Sequence, residues 1–259
     1  MALEHFVLYI IIFLYGIVIG SFLNVCVFRI PKNENLVTVG SHCMECGHPL
    51  KWYDLIPLFS WLALRGKCRY CGSSLSLQYP VVEAVNGFLY LLVFAVNGWN
   101  WNSVLYCIMT SALLVISIID YRTMLIPTAA DLVILGVGVV HLALNWQNWP
   151  YWIIGLFSAS AFLLICALLF RAVTGKGGLG VGDIELMACA GLCIGWGHAL
   201  FAIVIGSVLG TVIEGVRILI TKKKGRFPFG PYLSLGIFVS VLWGTRIYEW
   251  YMNTFVLVA

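Results

Sequence analysis

The chain has 259 residues, of which 61% are hydrophobic and only 10% charged, with mean hydropathy +0.97 and a net charge of +4. Soluble domains carry roughly 25% charged residues, so this composition excludes an ordinary soluble protein and marks an integral membrane protein. The positive balance does not indicate nucleic-acid binding, because the basic residues are divided among separate short loops.

Apolar stretches able to cross about 30 Å of hydrocarbon are predicted at residues 6–28, 82–97, 102–119, 129–145, 151–170, 183–197, 199–220 and 231–250. The expected fold is therefore all-α and polytopic, with about eight transmembrane helices. The first span is uniformly apolar and lacks a small-residue cleavage site, so it is read as a permanent helix and not a removed signal. If the spans alternate, one face receives Arg29 to Arg69, Arg122, Arg171, Lys176 and Arg217 to Arg226, while only Arg246 falls near the other. The positive-inside bias makes the first face cytoplasmic. The Lys222 to Lys224 run reads as a solvated stop signal.

Residues 29–79 form one polar insertion between the first two spans. It carries Cys43-Met44-Glu45-Cys46 and Cys68-Arg69-Tyr70-Cys71, each followed by glycine. Two such knuckles offer four thiolates to a tetrahedral metal, and zinc is the expected occupant of Cys43, Cys46, Cys68 and Cys71. A cytoplasmic setting keeps thiols reduced, against two disulfides. His42 and His48 flank the first knuckle and read as loop histidines. Cys26, Cys107, Cys166, Cys189 and Cys193 lie in apolar runs and are expected to be small core residues.

Further along, Asp120 closes the third predicted span and Asp183 opens the sixth, both at the cytoplasmic edge. A carboxylate near membrane depth is costly to ionise and is a functional candidate by default. Asp120 lies in Ile119-Asp120-Tyr121-Arg122-Thr123-Met124-Leu125-Ile126-Pro127, where the proline forces a tight turn. Asp183 lies in Gly180-Val181-Gly182-Asp183-Ile184-Glu185 after a run of glycines, at or near a helix start. Taken singly, Asp183 is equally an N-cap, and Asp120 a partner for Arg122. Taken together they suit a shared-proton pair.

These motifs resemble those of the type IV prepilin peptidases, membrane aspartic proteases of the Gly-x-Gly-Asp type. The resemblance covers most of the chain and includes Gly20-Ser21-Phe22-Leu23-Asn24-Val25 with Arg29-Ile30-Pro31, Trp52 to Trp61, Leu64-Arg65-Gly66-Lys67-Cys68, and Tyr79-Pro80 with Glu83. Departures are Val39-Gly40-Ser41-His42 and Met44 around the first knuckle, Thr128 where an acid often follows the Ile-Pro, with Asp131 only later, and Glu185 in place of a frequent lysine.

The resemblance implies an enzyme of the cytoplasmic membrane that cuts the basic leader from pilin-like precursors after a glycine, with Asp120 and Asp183 as catalytic residues. It also implies N-methylation of the new terminus with S-adenosylmethionine, an activity linked to the cysteine loop. No Gly-x-Gly-x-x-Gly follows a predicted strand, so a standard soluble methyltransferase domain is not expected. On this reading residues 1–28 are the first helix, 29–79 the zinc-knuckle loop associated with methylation, and 80–259 the peptidase bundle. The expected partners are prepilins and the bilayer, with no nucleic acid; oligomeric state stays open, as does the system served. A transporter using Asp120 and Asp183 as proton or ion sites is the main alternative, and a non-enzymatic assembly factor is another.

Overall fold

A computed structural model describes residues 2–251 apart from 37, 176, 223, 224 and 226, and also residues 253 and 254. Of the basic residues used for orientation, Lys176, Lys223, Lys224 and Arg226 lie outside the described residues. The chain divides into two compact units, Met1–Ala95 and Val96–Ala259. Among the described residues the regular structure is helical; two isolated β-bridges are the only extended pairing.

The first unit contains α1 (Ala2–Arg29), the single turn and a half of α2 (Phe59–Ala63), and most of α3 (Gln78–Asn97). Helices α1 and α3 pack backbone to backbone: a side chain at Gly16 would meet the Gly87 Cα at 2.6 Å. Such closeness leaves buried polar groups within reach, and the Asn86 amide donates to the Gly16 carbonyl at 2.7 Å. Asn24 likewise donates to the Tyr79 carbonyl at 3.2 Å. Where α1 ends, the Arg29 guanidinium donates to the carbonyls of Asn35, Leu36, Val39 and Gly40 and so folds the chain back toward the first knuckle. Five charge-assisted donors in a rigid fork suit this work better than a lysine would.

The second unit holds α4 (Trp101–Thr123), α5 (Thr128–Leu144), α6 (Trp149–Thr174), α7 (Val181–Ile194), α8 (Trp196–Thr221) and α9 (Gly230–Tyr251). Its core includes Met109, Ile116, Ile134, Leu186, Met187, Leu233 and Ile237, all fully buried. Small residues let the helices close in. Gly155 of α6 faces Gly191 of α7, and Gly206 of α8 lies against the backbone of Tyr232 and Leu233 on α9. The Gly206-to-Gly210 pair thus packs within the monomer, as small-residue motifs do between membrane helices.

Outside the core, large apolar side chains such as Phe157, Leu169, Val173, Leu219 and Ile220 are more than half exposed. On helices of this length that surface belongs against acyl chains, not water. Five helical segments among the described residues are long and apolar enough to cross a membrane: Glu4–Lys32, Gln78–Asn97, Trp101–Thr123, Trp146–Thr174 and Trp196–Thr221. Three of the eight segments predicted as spans, those of α5, α7 and α9, fall outside this set. Helix α7 stops at Ile194, where Gly195 turns with φ 78°, and its 14 residues rise only about 21 Å. One cysteine also departs from expectation. Cys26, Cys107, Cys189 and Cys193 are buried, but Cys166 is exposed, because α6 turns the face carrying Leu164, Ile165, Leu168 and Leu169 outward.

Candidate active site and metal centre

Within the second unit, Asp120 lies in the last full turn of α4, which ends when Met124 adopts a left-handed conformation. Its side chain is 5% exposed, and Oδ2 accepts the Gly230 backbone N–H at 2.8 Å. That N–H belongs to the first residue of α9, one of the helix-end donors without an intrahelical partner, so a carboxylate is well placed to take it. A Cβ on residue 230 would stand 2.8 Å from Oδ2, so only glycine fits there unstrained. The sequence suggested Arg122 as the bland partner for Asp120; the structure supplies Gly230 instead. The clue was present in Pro228-Phe229-Gly230-Pro231, where Pro231 suits a helix first turn.

Asp183 sits in the first turn of α7, is 8% exposed, and accepts the Gly180 N–H at 3.2 Å. The N-cap is Gly180 and not Asp183: the aspartate stands at the third helical position and reaches back to the N-cap N–H, which spends one oxygen. Gly182 presses on Ile126, which follows Asp120 in the α4–α5 turn, so the end of α4 and the start of α7 meet at one end of the unit. There Asp183 lies within Coulombic reach of Asp120. Glu185 points to the exterior.

A third acid belongs to the same neighbourhood. Asp131, in the first turn of α5, is 3% exposed, and neither of its oxygens has a hydrogen-bond partner in the structure. Both Asp183 and Glu185 lie within its electrostatic reach. In the sequence Asp131 stood out only as a late acid after Ile126-Pro127; nothing in its spacing announced that α5 would turn it inward.

In the first unit the Sγ atoms of Cys43, Cys46, Cys68 and Cys71 all lie within 4.8 Å of one another. The Cys43 and Cys71 sulfurs are 3.8 Å apart. Tetrahedral zinc with Zn–S bonds of about 2.3 Å requires sulfurs roughly 3.8 Å apart, so the donor set fits. Two local hairpins build it: His42 bridges to Pro49 and Lys67 to Ser74, with Gly47 at φ 68° and Gly72 at φ 72° closing each knuckle. Backbone N–H groups of Cys46 and Glu45 hold the Cys43 thiol down at about 6. Cys46 is pushed the other way, to about 11: the His48 N–H pulls it down, but desolvation and the neighbouring thiolates outweigh that. Four thiolates this close can all ionise only around a cation.

His42 and His48 are not part of the cluster. His42 bonds to the Gly40 carbonyl, and His48 stacks on Tyr70 with centroids 3.7 Å apart. The second knuckle is tied to the intervening turn by Arg69, whose Nε donates to Asp54 at 2.7 Å, and by the Tyr70 hydroxyl, which donates to the same carboxylate at 3.1 Å.

Comparison with known proteins agrees with these features. The family model described as the bacterial peptidase A24 N-terminal domain matches residues 14–97, and that described as the type IV leader peptidase family matches residues 107–214. A protein of Xanthomonas campestris pv. campestris is 33% identical over 92% of this chain and 92% of its own. One of Pseudomonas putida is 32% identical over 90% of each, and one of Aeromonas salmonicida 29% identical over 94% of each. All three carry the name prepilin leader peptidase/N-methyltransferase. No solved structure matches. On the extent and identity of these matches, the chain belongs to the type IV leader peptidase family.

Proposed function

We propose that this protein removes the leader from prepilins and pilin-like precursors by aspartic proteolysis and then methylates the exposed N-terminal amine with S-adenosylmethionine. The names shared by its relatives and the peptidase family match support both activities. One observation carries the choice of catalytic residues: two acids 63 positions apart in sequence, Asp120 and Asp183, are both buried at the same end of one helical unit, where Gly182 packs against Ile126.

Like charges at close range cannot both ionise cheaply, so the pair holds one proton. The ionised aspartate takes a proton from water, and that water attacks the scissile carbonyl while the neutral aspartate donates to the carbonyl oxygen. Collapse of the tetrahedral intermediate returns a proton to the departing amine. Which residue holds the proton belongs to the pair. The Gly230 and Gly180 N–H groups fix one oxygen of each carboxylate, leaving the other for water and substrate.

Topologically, the five spanning segments and the helices α5, α7 and α9 make up eight membrane-embedded helices, with residues 29–79 and both aspartates on the cytoplasmic side, the loop associated with methylation and residues 80–259 with cleavage. A precursor whose apolar helix lies in the bilayer and whose basic leader stays in the cytoplasm presents its junction at that depth. Cys43, Cys46, Cys68 and Cys71 would hold zinc in a structural role, since four protein sulfurs would supply all the donors that a closed site needs. S-adenosylmethionine supplies an electrophilic methyl group when bound.

The test is to incubate purified protein with a pilin-like precursor, with and without S-adenosylmethionine, and read the product's N-terminus by mass spectrometry. Cleavage after glycine in both samples, with a gain of one methyl only when the donor is present, is expected. An uncut precursor, together with proton flux in liposomes, would favour the transporter.

A further inference from the structure

The stretch between the two knuckles is apolar on both of its sides. Leu55, Trp61 and Leu64 face inward and line the interior cavity of the first unit. Trp52, Ile56, Phe59 and Leu62 do not reach that cavity; Trp52 is 77% exposed, Phe59 61%, Leu62 63% and Ile56 41%. Scattered apolar residues are ordinary on a water-facing loop, but a run of them spaced three or four positions apart calls for a partner. The backbone cannot turn them in, because a single 3-10 turn at Trp52–Leu55 and the short α2 are joined through Pro57 and Leu58, with Leu58 fixed at φ 61°.

The stretch is fastened at a definite height. The Leu58 N–H donates to Glu83 at 2.8 Å, and Glu83, 6% exposed, lies about 8 Å along α3 from its start at Gln78. Helix α1 closes on the same place, where a side chain at Gly20 would meet the Glu83 Cα at 2.7 Å. Both α1 and α3 belong to segments able to cross a membrane, and the 20 residues of α3 rise only about 30 Å, with no length to spare. Leu58 therefore stands beside two membrane helices near the edge of the hydrocarbon, and not far out in water.

Charge follows the same logic. Lys51, Arg65 and Lys67 border the stretch, and among the described residues none of them pairs with a carboxylate. The one acid between them, Asp54, has a side chain only 3% exposed and is held by Arg69 and Tyr70. Outward-facing Trp, Phe, Ile and Leu with a free basic rim are what a segment lying in the plane of a membrane interface requires.

We propose that residues 51–67 rest on the membrane leaflet at their own side, with Trp52, Ile56, Phe59 and Leu62 sunk into it and Lys51, Arg65 and Lys67 against anionic headgroups such as phosphatidylglycerol. The attachment holds the cysteine knuckles at the membrane surface, the depth at which a precursor presents its junction. A precursor's apolar helix would suit the exposed side chains alone, but its basic leader would be repelled by the basic rim.

The test uses the full zinc-loaded chain in nanodiscs of phosphatidylcholine mixed with phosphatidylglycerol. Photoreactive benzoylphenylalanine is placed in turn at positions 52, 59 and 62, and the adducts are identified by mass spectrometry. Lipid adducts are expected at all three, with phosphatidylglycerol captured in excess of its share of the mixture. Lys51→Gln, Arg65→Gln and Lys67→Gln combined should return the adducts to the bulk lipid ratio. Adducts to residues 96–259 in place of lipid would overturn the proposal, and so would adducts formed only with an added precursor, which would give this face to the substrate. Lipid capture at the bulk ratio by the unaltered chain would overturn the anionic partner. Should a probe displace the zinc, tryptophan emission decides. The difference between the parent and Trp52→Phe should be weaker in brominated than in ordinary lipid, and an equal difference would contradict the attachment.

Discussion

Replacing Gly230 with alanine tests how tightly the site around Asp120 is built. The added methyl would stand 2.8 Å from Oδ2, about 0.6 Å inside the 3.4 Å at which ordinary contact begins, so either the carboxylate or the start of α9 has to move. The direct casualty is the 2.8 Å hydrogen bond from the Gly230 N–H. A hydrogen bond to a charged group is worth about 1.5–3 kcal/mol, and a displacement approaching 1 Å in a catalytic group costs on the order of 10²-fold in rate. Gly230→Ala should therefore lower kcat for precursor cleavage about a hundredfold, followed by gel shift or mass spectrometry in detergent. Gly136→Ala is the control: no atom lies within 4 Å of the added carbon, and alanine favours a helix, so activity should hold and thermal stability rise slightly. A Gly230→Ala enzyme that accumulates normally and cuts within threefold of the parent rate would refute the contact as a positioning device.

Two further outcomes are expected. Metal analysis of protein purified without chelators should find one zinc per chain, and Cys43→Ser should lose most of it, with residues 40–75 becoming sensitive to protease; a full metal complement in that variant would remove the tetrahedral site. Tyr232→Phe deletes the hydroxyl that donates to Glu214 at 2.9 Å, beside the Arg217 contact at 2.8 Å. Glu214 is 7% exposed, so the loss should cost about 1–3 kcal/mol in reversible unfolding, and no measurable change would show that the α8–α9 polar contact is not structural.

Much of this was legible from residue order because it rests on local chemistry. The knuckles could be read from cysteine and glycine spacing, since a metal shell built from two short hairpins is encoded within each hairpin. The helical segments could be read from length and apolarity, because a bilayer imposes both. Asp120 and Asp183 stood out because acids are scarce in apolar runs.

Illegible were the features made by distant backbone approach. Gly230 and Asp120 are 110 positions apart, and their contact depends on how α4 and α9 cross. Burial of Asp131 depends on the rotation of α5, which a helix with apolar residues on every side does not fix from its own sequence. Cys166 was assigned to the core for the same reason: inside a bilayer, apolar composition does not separate lipid-facing positions from packed ones. The outward apolar side chains of Trp52, Phe59 and Leu62 are visible only once the loop is folded.

The most direct trial of the account is cleavage of a pilin-like precursor by Asp120→Asn and Asp183→Asn, each purified and shown to retain zinc and the parent melting temperature. Both should leave the precursor uncut over a period in which the parent enzyme converts all of it. Substantial cleavage by either folded variant would contradict a shared-proton pair as the catalytic centre.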